Sequence, residues 1–262
     1  MQMNKLMILG SGAAPGVPSV ARGWGDCDPN NPKNRRRRTS VYLQFGQTKI
    51  LIDTSPDLRD QLLDAGIRDL DAVLYTHAHS DHMNGIDELR EINRLTKKVL
   101  PTYATHPTKE HILRSYPHVV AMAGTLRHTG AASLDLHEVR HGEAFEVDKV
   151  NILPIDLEGH SVPSNGYIFN DGEVVYIADC MEIPSRSLDL IRKRPEILVM
   201  PLTGIHKLNY HMSLAQVLDY IEIIRPKRAV LNHMSATCDY EKVNALTPQI
   251  VVPAYDDMIV EW

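Results

Sequence analysis

Apolar positions in this chain fall into short continuous or alternating runs, separated by turn residues and by stretches of helical spacing. "KLMILG" (Lys5–Gly10) has the length and unbroken apolar character of a buried strand. "SVYLQF" and "KILIDT" flank "GQT" and read as a hairpin. "NGYIFNDGEVVYIADC" reads as a second hairpin, turning at Asp171–Gly172. "DAVLYTH", "VNILPIDLEGH", "EILVMPL", "RAVLNHMS" and "MIVEW" supply further strands. Helical spacing appears in "SPDLRDQLLDAGI", with Ser55 as N-cap, Pro56 at the first helical position, Leu58, Leu62 and Leu63 on one face, and Gly66 as the stop. "GIDELREINRL", "HPTKEHILRSY", "SRSLDLIRKR" and "SLAQVLDYIEIIRP" follow as helices, the last ended by Pro226. Residues from Pro117 to Glu143 show no clear period and are expected to be irregular.

Hairpins come early and late, and helices interrupt both groups. This pattern predicts an α/β class with two sheets face to face and helices outside. No repeat or composition break divides the chain, so residues 1–262 are read as one domain. With 43% hydrophobic and 23% charged residues, the composition is that of an ordinary globular protein. A chain of 262 residues buries roughly three quarters of its unfolded surface and needs no staples. A net charge of −5 gives no general pull toward nucleic acid or anionic membrane. Cys27, Cys180 and Cys238 form no CxxC pair, which fits a reducing compartment. The N-terminal apolar run is too short for a secretory signal, and no run reaches a membrane span. A cytoplasmic location is the expectation.

Candidate chemistry concentrates in "LYTHAHSDHMNG". His77 and His79 lie two apart, so in extended chain both imidazoles point the same way and can reach one ion. Asp81 and His82 follow at a turn and could serve a second ion. Further ligand-type residues stand where apolar runs give out: His160 in "LEGHSVPSNGY", Asp179 in "VVYIADC" and His233 in "AVLNHMS". Rigid strands fix such positions, which is why sites gather there.

"THAHSDH" resembles the T-H-x-H-x-D-H signature of the metallo-β-lactamase superfamily, and His160, Asp179 and His233 follow in that family's order of ligands. The resemblance implies a four-layer αββα sandwich with a two-metal site at one edge. It implies one site of His77, His79 and His160, a second of Asp81, His82 and His233, and Asp179 bridging. Two divalent ions, manganese or zinc with iron as a further choice, would hold a bridging hydroxide for attack on a small phosphodiester. Asp81 is then counted with the catalytic residues as well as the ligands. Within the superfamily, "LGSGAAPGVPS", "NRRRRTS", "GHSVPSNGY", "YIADC" and "LNHMS" resemble the phosphoribosyl cyclic phosphodiesterase branch. That branch commonly carries several cysteines after the first strand that hold a structural zinc with a late histidine. Here Cys27 stands alone and Ala236 follows "HMS", so no structural zinc is expected. His211, just before the helix that leads to the late strand, takes the place of the branch's catalytic histidine and is the candidate acid. A homodimer is carried over from the same branch.

The remaining signals are read as structural. Arg35 to Arg38 would alternate faces and pair in part with carboxylates; direct phosphate or RNA contact is the competing reading. "GSGAAPG" reads as a flexible turn at the rim of the site, and Cys180 as core. His106, His111, His118, His128, His137 and His141 are expected outside the centre, and His206 is left without a role. Among functions, a phosphodiesterase leads; an RNA-processing nuclease or lactone hydrolase of the same fold is the alternative. RNA binding without catalysis comes third.

Overall fold

Two mixed sheets carry the chain, and their strand order explains where the polar strand ends meet. The computed structural model describes residues 3–121, 125–126 and 130–262. One sheet contains β1 (Lys5–Gly10), β2 (Ser40–Phe45), β3 (Thr48–Ile52), β4 (Ala72–Leu74), β5 (Leu100–Thr105) and β6 (Leu134–Val139). The other contains β7 (Phe145–Val147), β8 (Val150–Leu157), β9 (Ser164–Phe169), β10 (Val174–Tyr176), β11 (Ile197–Pro201), β12 (Arg228–Asn232) and β13 (Val251–Pro253). The last strand, β14 (Met258–Glu261), returns to the first sheet beside β1. The orders are β14-β1-β2-β3-β4-β5-β6 and β13-β12-β11-β10-β9-β8-β7. β3 through β6 run parallel, as do β10 through β13. The carboxyl ends of these two parallel sets open at one edge, where ligands of α/β sheets bind.

Alternation along β1 shows how the layers form. Leu6 and Ile8 face the second sheet and join Leu43, Ile52, Tyr167, Phe169, Val199 and Leu231 in the central core. Met7 and Leu9 face outward, against Leu58, Ile92 and Ile112. Those three residues come from α1 (Leu58–Asp64), α3 (Leu89–Thr96) and α4 (His106–Ser115), with the short α2 (Ser80–Met83) between. On the second sheet lie α5 (Ser185–Leu188), α6 (Leu214–Ile224) and α7 (Tyr240–Ala245). Val217 and Ile221 of α6 and Val243 of α7 pack into the central cluster. The arrangement is the αββα sandwich that the resemblance implies.

Several local expectations are corrected. The first helix begins at Leu58 rather than Pro56, because the Ser55 hydroxyl accepts from the Asp57 amide and donates to Gln61. "SRSLDLIRKR" keeps one helical turn before tighter i to i+3 bonds take over ahead of Pro195. The Pro117–Glu143 stretch contains β6, an edge strand whose alternation was masked by its exposed face. "GSGAAPG" is not a free turn. A Cβ on Gly10 would lie 2.0 Å from the Arg38 carbonyl oxygen, so glycine is required for two backbones to cross.

Candidate metal centre

Each candidate residue sits just beyond a strand end. Asp53 follows β3, the segment from His77 to His82 follows β4, and His160 lies between β8 and β9. Asp179 follows β10 and His233 follows β12. Asp53 and His233 both have left-handed backbone, with φ of 61° and 59°. Asp and His tolerate that region better than most side chains, at a cost of about 1–3 kcal/mol that the surroundings must offset. Asp53 is held by the hydrogen bond its amide donates to the Leu74 carbonyl, and the Thr54 amide beside it donates to the His82 carbonyl. Gly85 closes the histidine-rich turn at a point where a Cβ would lie 2.0 Å from the Ser55 carbonyl oxygen.

Two ligand-type clusters result: His77, His79 and His160, and the fully buried Asp81, His82, Asp179 and His233. In the first, His79 Nδ1 is 3.1 Å from His77 Nε2 and 2.9 Å from His160 Nε2. Ligands about 2.0–2.1 Å from a single tetrahedral ion stand about 3.3 Å apart, close to this spacing. The outer bonds settle which ring atoms carry protons. Thr76 Oγ1 donates to Asp53, so it accepts from His77 Nδ1 at 3.0 Å. His160 Nδ1 donates to the Tyr210 carbonyl at 3.2 Å. His79 Nε2 faces Ser161 Oγ at 3.2 Å and donates to it in the tautomer that suits the cluster. All three neutral rings then aim lone pairs at one another, an arrangement that calls for a cation between them.

The second cluster makes the same demand. His82 Nδ1 lies 2.7 Å from Asp53, while His82 Nε2 is buried with no hydrogen-bond partner. His233 Nε2 stands 3.2 Å from Asp81 and 3.1 Å from Asp179, and its Nδ1 meets Thr203 Oγ1 at 3.0 Å. An unpartnered buried nitrogen beside two carboxylates fits a divalent metal bound by nitrogen and oxygen donors. Every imidazole in the two clusters has an outer partner, the arrangement that orients metal-ligating histidines.

Electrostatics follow the same division. Burial pushes the His77, His79 and His160 rings below the usual histidine range, keeping them neutral. Burial opposes charge on His82 as well, but the Asp81 and Asp53 carboxylates outweigh it and raise that ring well above the ordinary value. Burial likewise works against Asp81 and Asp179, yet nearby His82 and His233 hold both carboxyls far below the usual range. His211 meets the His160 ring edge-on and stacks on the His233 ring, with centroids 5.1 Å and 5.7 Å away. Its burial lowers the ring to about 4, and its Nδ1 is buried without a partner.

All seven sequence-predicted ligands therefore converge, and His211 lies beside them, within ligand range of His160 and Asp179. Asp53 and Thr203 escaped sequence reading. Asp53 carried a signal, since "KILIDT" ends a strand in an acid as "VVYIADC" does. Thr203 carried none. His106, His111, His118, His137 and His141 belong to neither cluster, and His128 lies outside the described residues. Arg36 is buried, donating to the Ser235 and Cys238 carbonyls and to Asn34, with Cys27 Sγ 3.7 Å away. Arg37 pairs with Asp64, Asp256 and Asp257, Arg38 with Asp57, and Arg35 lies over the Trp24 ring. A groove of about 850 Å³ between α1 and α3, lined in part by Arg59, Leu63, Arg90 and Leu95, contains none of the centre's residues.

Residues 48–234 match the family model described as the beta-lactamase superfamily domain. The chain belongs to the beta-lactamase superfamily. As a superfamily member it carries a His/Asp cluster that could hold metal ions. Over its whole length it is similar to the crystal structure of a diphosphatase from the PhnP family, with 28% identity and a TM-score of 0.88, covering 98% of that chain. This likeness agrees with the phosphodiesterase branch named from the motifs. An octanoyltransferase of Porphyromonas gingivalis is 32% identical over 249 residues, 94% of this chain but 49% of that protein. A ribonuclease Z of a Bradyrhizobium species is 26% identical over 194 residues, 61% of this chain and 64% of the relative. The chain thus spans about half to two thirds of these curated relatives.

Proposed function

We propose that this superfamily member is a phosphodiesterase acting on a small cyclic or nucleotide-like phosphodiester. The observation that carries the reading is the pair of adjoining ligand clusters with His211 beside both. His77, His79 and His160 would hold one divalent ion and Asp81, His82 and His233 a second, with Asp179 shared. Zinc and manganese suit the nitrogen and oxygen donors, and iron is compatible. Bound there, such ions would lower the pKa of water from about 15.7 to roughly 7 and draw charge from the phosphoryl oxygens.

The chain's own groups fit an anionic substrate. Asp81 and Asp179 are the cluster's two carboxylates, fewer than two divalent ions need for neutrality, so the centre favours an anion despite the overall charge of −5. Asp81, also placed among the catalytic residues, faces His233 and His82 and can orient an incoming water. His211 is neutral at pH 7 in the free protein. An anionic phosphate beside it favours the imidazolium, which can then give a proton to the departing oxygen.

An RNA-processing role is the second reading, favoured by the ribonuclease Z likeness. It is weakened by the arginine run, whose Arg36, Arg37 and Arg38 are engaged within the chain. The octanoyltransferase relative is about twice as long, so acyl chemistry enters only as a competitor to be assayed. The test is a metal-reconstituted panel of bis-aryl phosphodiesters, cyclic ribose phosphates, nucleoside diphosphates, monoesters, lactones, thioesters and a tRNA precursor. Diesters should turn over fastest, and His211→Ala should keep its metal while losing about 10²–10⁴ in rate on diesters with poor leaving groups. Diesters at background while lactones or thioesters turn over would overturn the proposal.

A further inference from the structure

The seven candidate ligands divide by sheet. His77, His79, Asp81 and His82 share one short segment after β4, so a single local fold places them. His160, Asp179 and His233 come from three separate connections of the second sheet and need something to gather them. One segment touches all three connections. At its start, Thr203 Oγ1 meets His233 Nδ1 at 3.0 Å, and the Thr203 carbonyl accepts from the Ser235 amide. Near its end, the Tyr210 carbonyl accepts from His160 Nδ1 at 3.2 Å. At its close, the Met212 amide donates to the carbonyl of Cys180, the residue after Asp179. The Leu214 amide bonds the Ile205 carbonyl, which closes the segment on itself, and His211 rides on it.

We propose that the segment 203–212 is the positioning element for the second-sheet ligands, and that Thr203 is the positioning residue for His233. The chemistry is ring orientation, joined by tautomer selection where the partner can only accept. A histidine offers a metal one ring nitrogen only when the proton sits on the other. The Tyr210 carbonyl can only accept, so it fixes the proton of His160 on Nδ1. Thr203 Oγ1, which can accept from His233 Nδ1, holds that ring with Nε2 turned toward Asp81 and Asp179. The segment therefore presents one imidazole to each cluster and sets His211 between them, so metal capture and the candidate acid are assembled by the same stretch of chain. The inference rests on the reading of both clusters as metal sites, but not on the choice of substrate.

Thr203 is open to a clean test because valine keeps its shape and removes only the hydroxyl. The metal-free full-length protein, its Thr203→Val variant and its Thr203→Ser variant are titrated calorimetrically with Mn²⁺ and with Zn²⁺. The His233 ring is read in parallel from long-range ¹H–¹⁵N correlations of the Zn²⁺-loaded protein. Thr203→Val should weaken one of two binding events about 10–100-fold, leave the other near its original affinity, and shift the His233 ring signals. Thr203→Ser should restore both readouts, which separates the hydroxyl's role from any loss of packing. Unchanged affinities in Thr203→Val, or Thr203→Ser as weak as valine, would overturn the proposal. A wild-type protein that takes up neither ion would overturn the metal reading and this inference together. A weakened valine variant in a protein that spares every phosphodiester would leave the positioning role standing and remove only the substrate class.

Discussion

Asp53 supports the centre without belonging to either ligand set. Its carboxylate is fully buried, accepts from the Thr76 amide and hydroxyl, and lies 2.7 Å from His82 Nδ1. It fixes the tautomers of two imidazoles, directly for His82 and through Thr76 for His77. Asp53→Asn keeps the shape but replaces one strong acceptor oxygen with an amide donor. Metal affinity should fall about 10–100-fold with the fold retained, as measured by competition with a chromophoric chelator. An affinity equal to wild type would remove Asp53 from the centre. The candidate ligands of the His77–His82 turn were legible because dense histidines at a strand end serve no packing purpose, and His160, Asp179 and His233 because each stands where an apolar run gives out. The outer partners were not. Thr203 and the Tyr210 carbonyl act through positions that only tertiary folding brings beside His233 and His160.

Elements were legible where one face or both faces are strongly apolar. β1, the two hairpins and α6 follow directly from their patterns. β6 was hidden because an edge strand exposes alternate residues, and β7 and β13 because three residues are too few to establish a period. The segment between β1 and β2 gave no regular signal, yet it is fastened to the turn after His233 through Arg36. That guanidinium is buried and donates to the carbonyls of Ser235 and Cys238, and Gly12 bridges to Met234. A buried arginine with backbone acceptors acts here as a cross-link between two irregular segments. Arg36→Leu strands those carbonyls away from water and should cost about 2–5 kcal/mol in urea unfolding. A change below about 0.5 kcal/mol would show that the bonds carry no stability.

At the scale of the whole molecule, residues from both sheets meet at one edge in a cluster that suits metal. His77, His79, His160 and His211 have folded-state values lowered by burial, so the unfolded chain binds more protons than the folded one. Their contribution is present above the unfolded value of about 6.5 and is lost as pH falls from there toward the folded values, about 4 for His211. His82 runs the other way: its raised value contributes below about 6.5 and fades as pH rises toward the folded value. The lowered rings outnumber it, so the melting temperature of metal-free protein should fall between pH 7 and pH 5; a rise would contradict the assignment. Metal should steepen the dependence, because ligation requires deprotonated rings. The most direct measurement of the central claim is the metal stoichiometry of the chelator-stripped chain, by calorimetric titration with Zn²⁺ or Mn²⁺ checked by elemental analysis. Two adjoining clusters predict two ions per chain, and Asp179→Ala should disturb the binding of both. Binding of no ion, or uptake that survives replacement of His77, Asp179 and His233 together, would contradict the account.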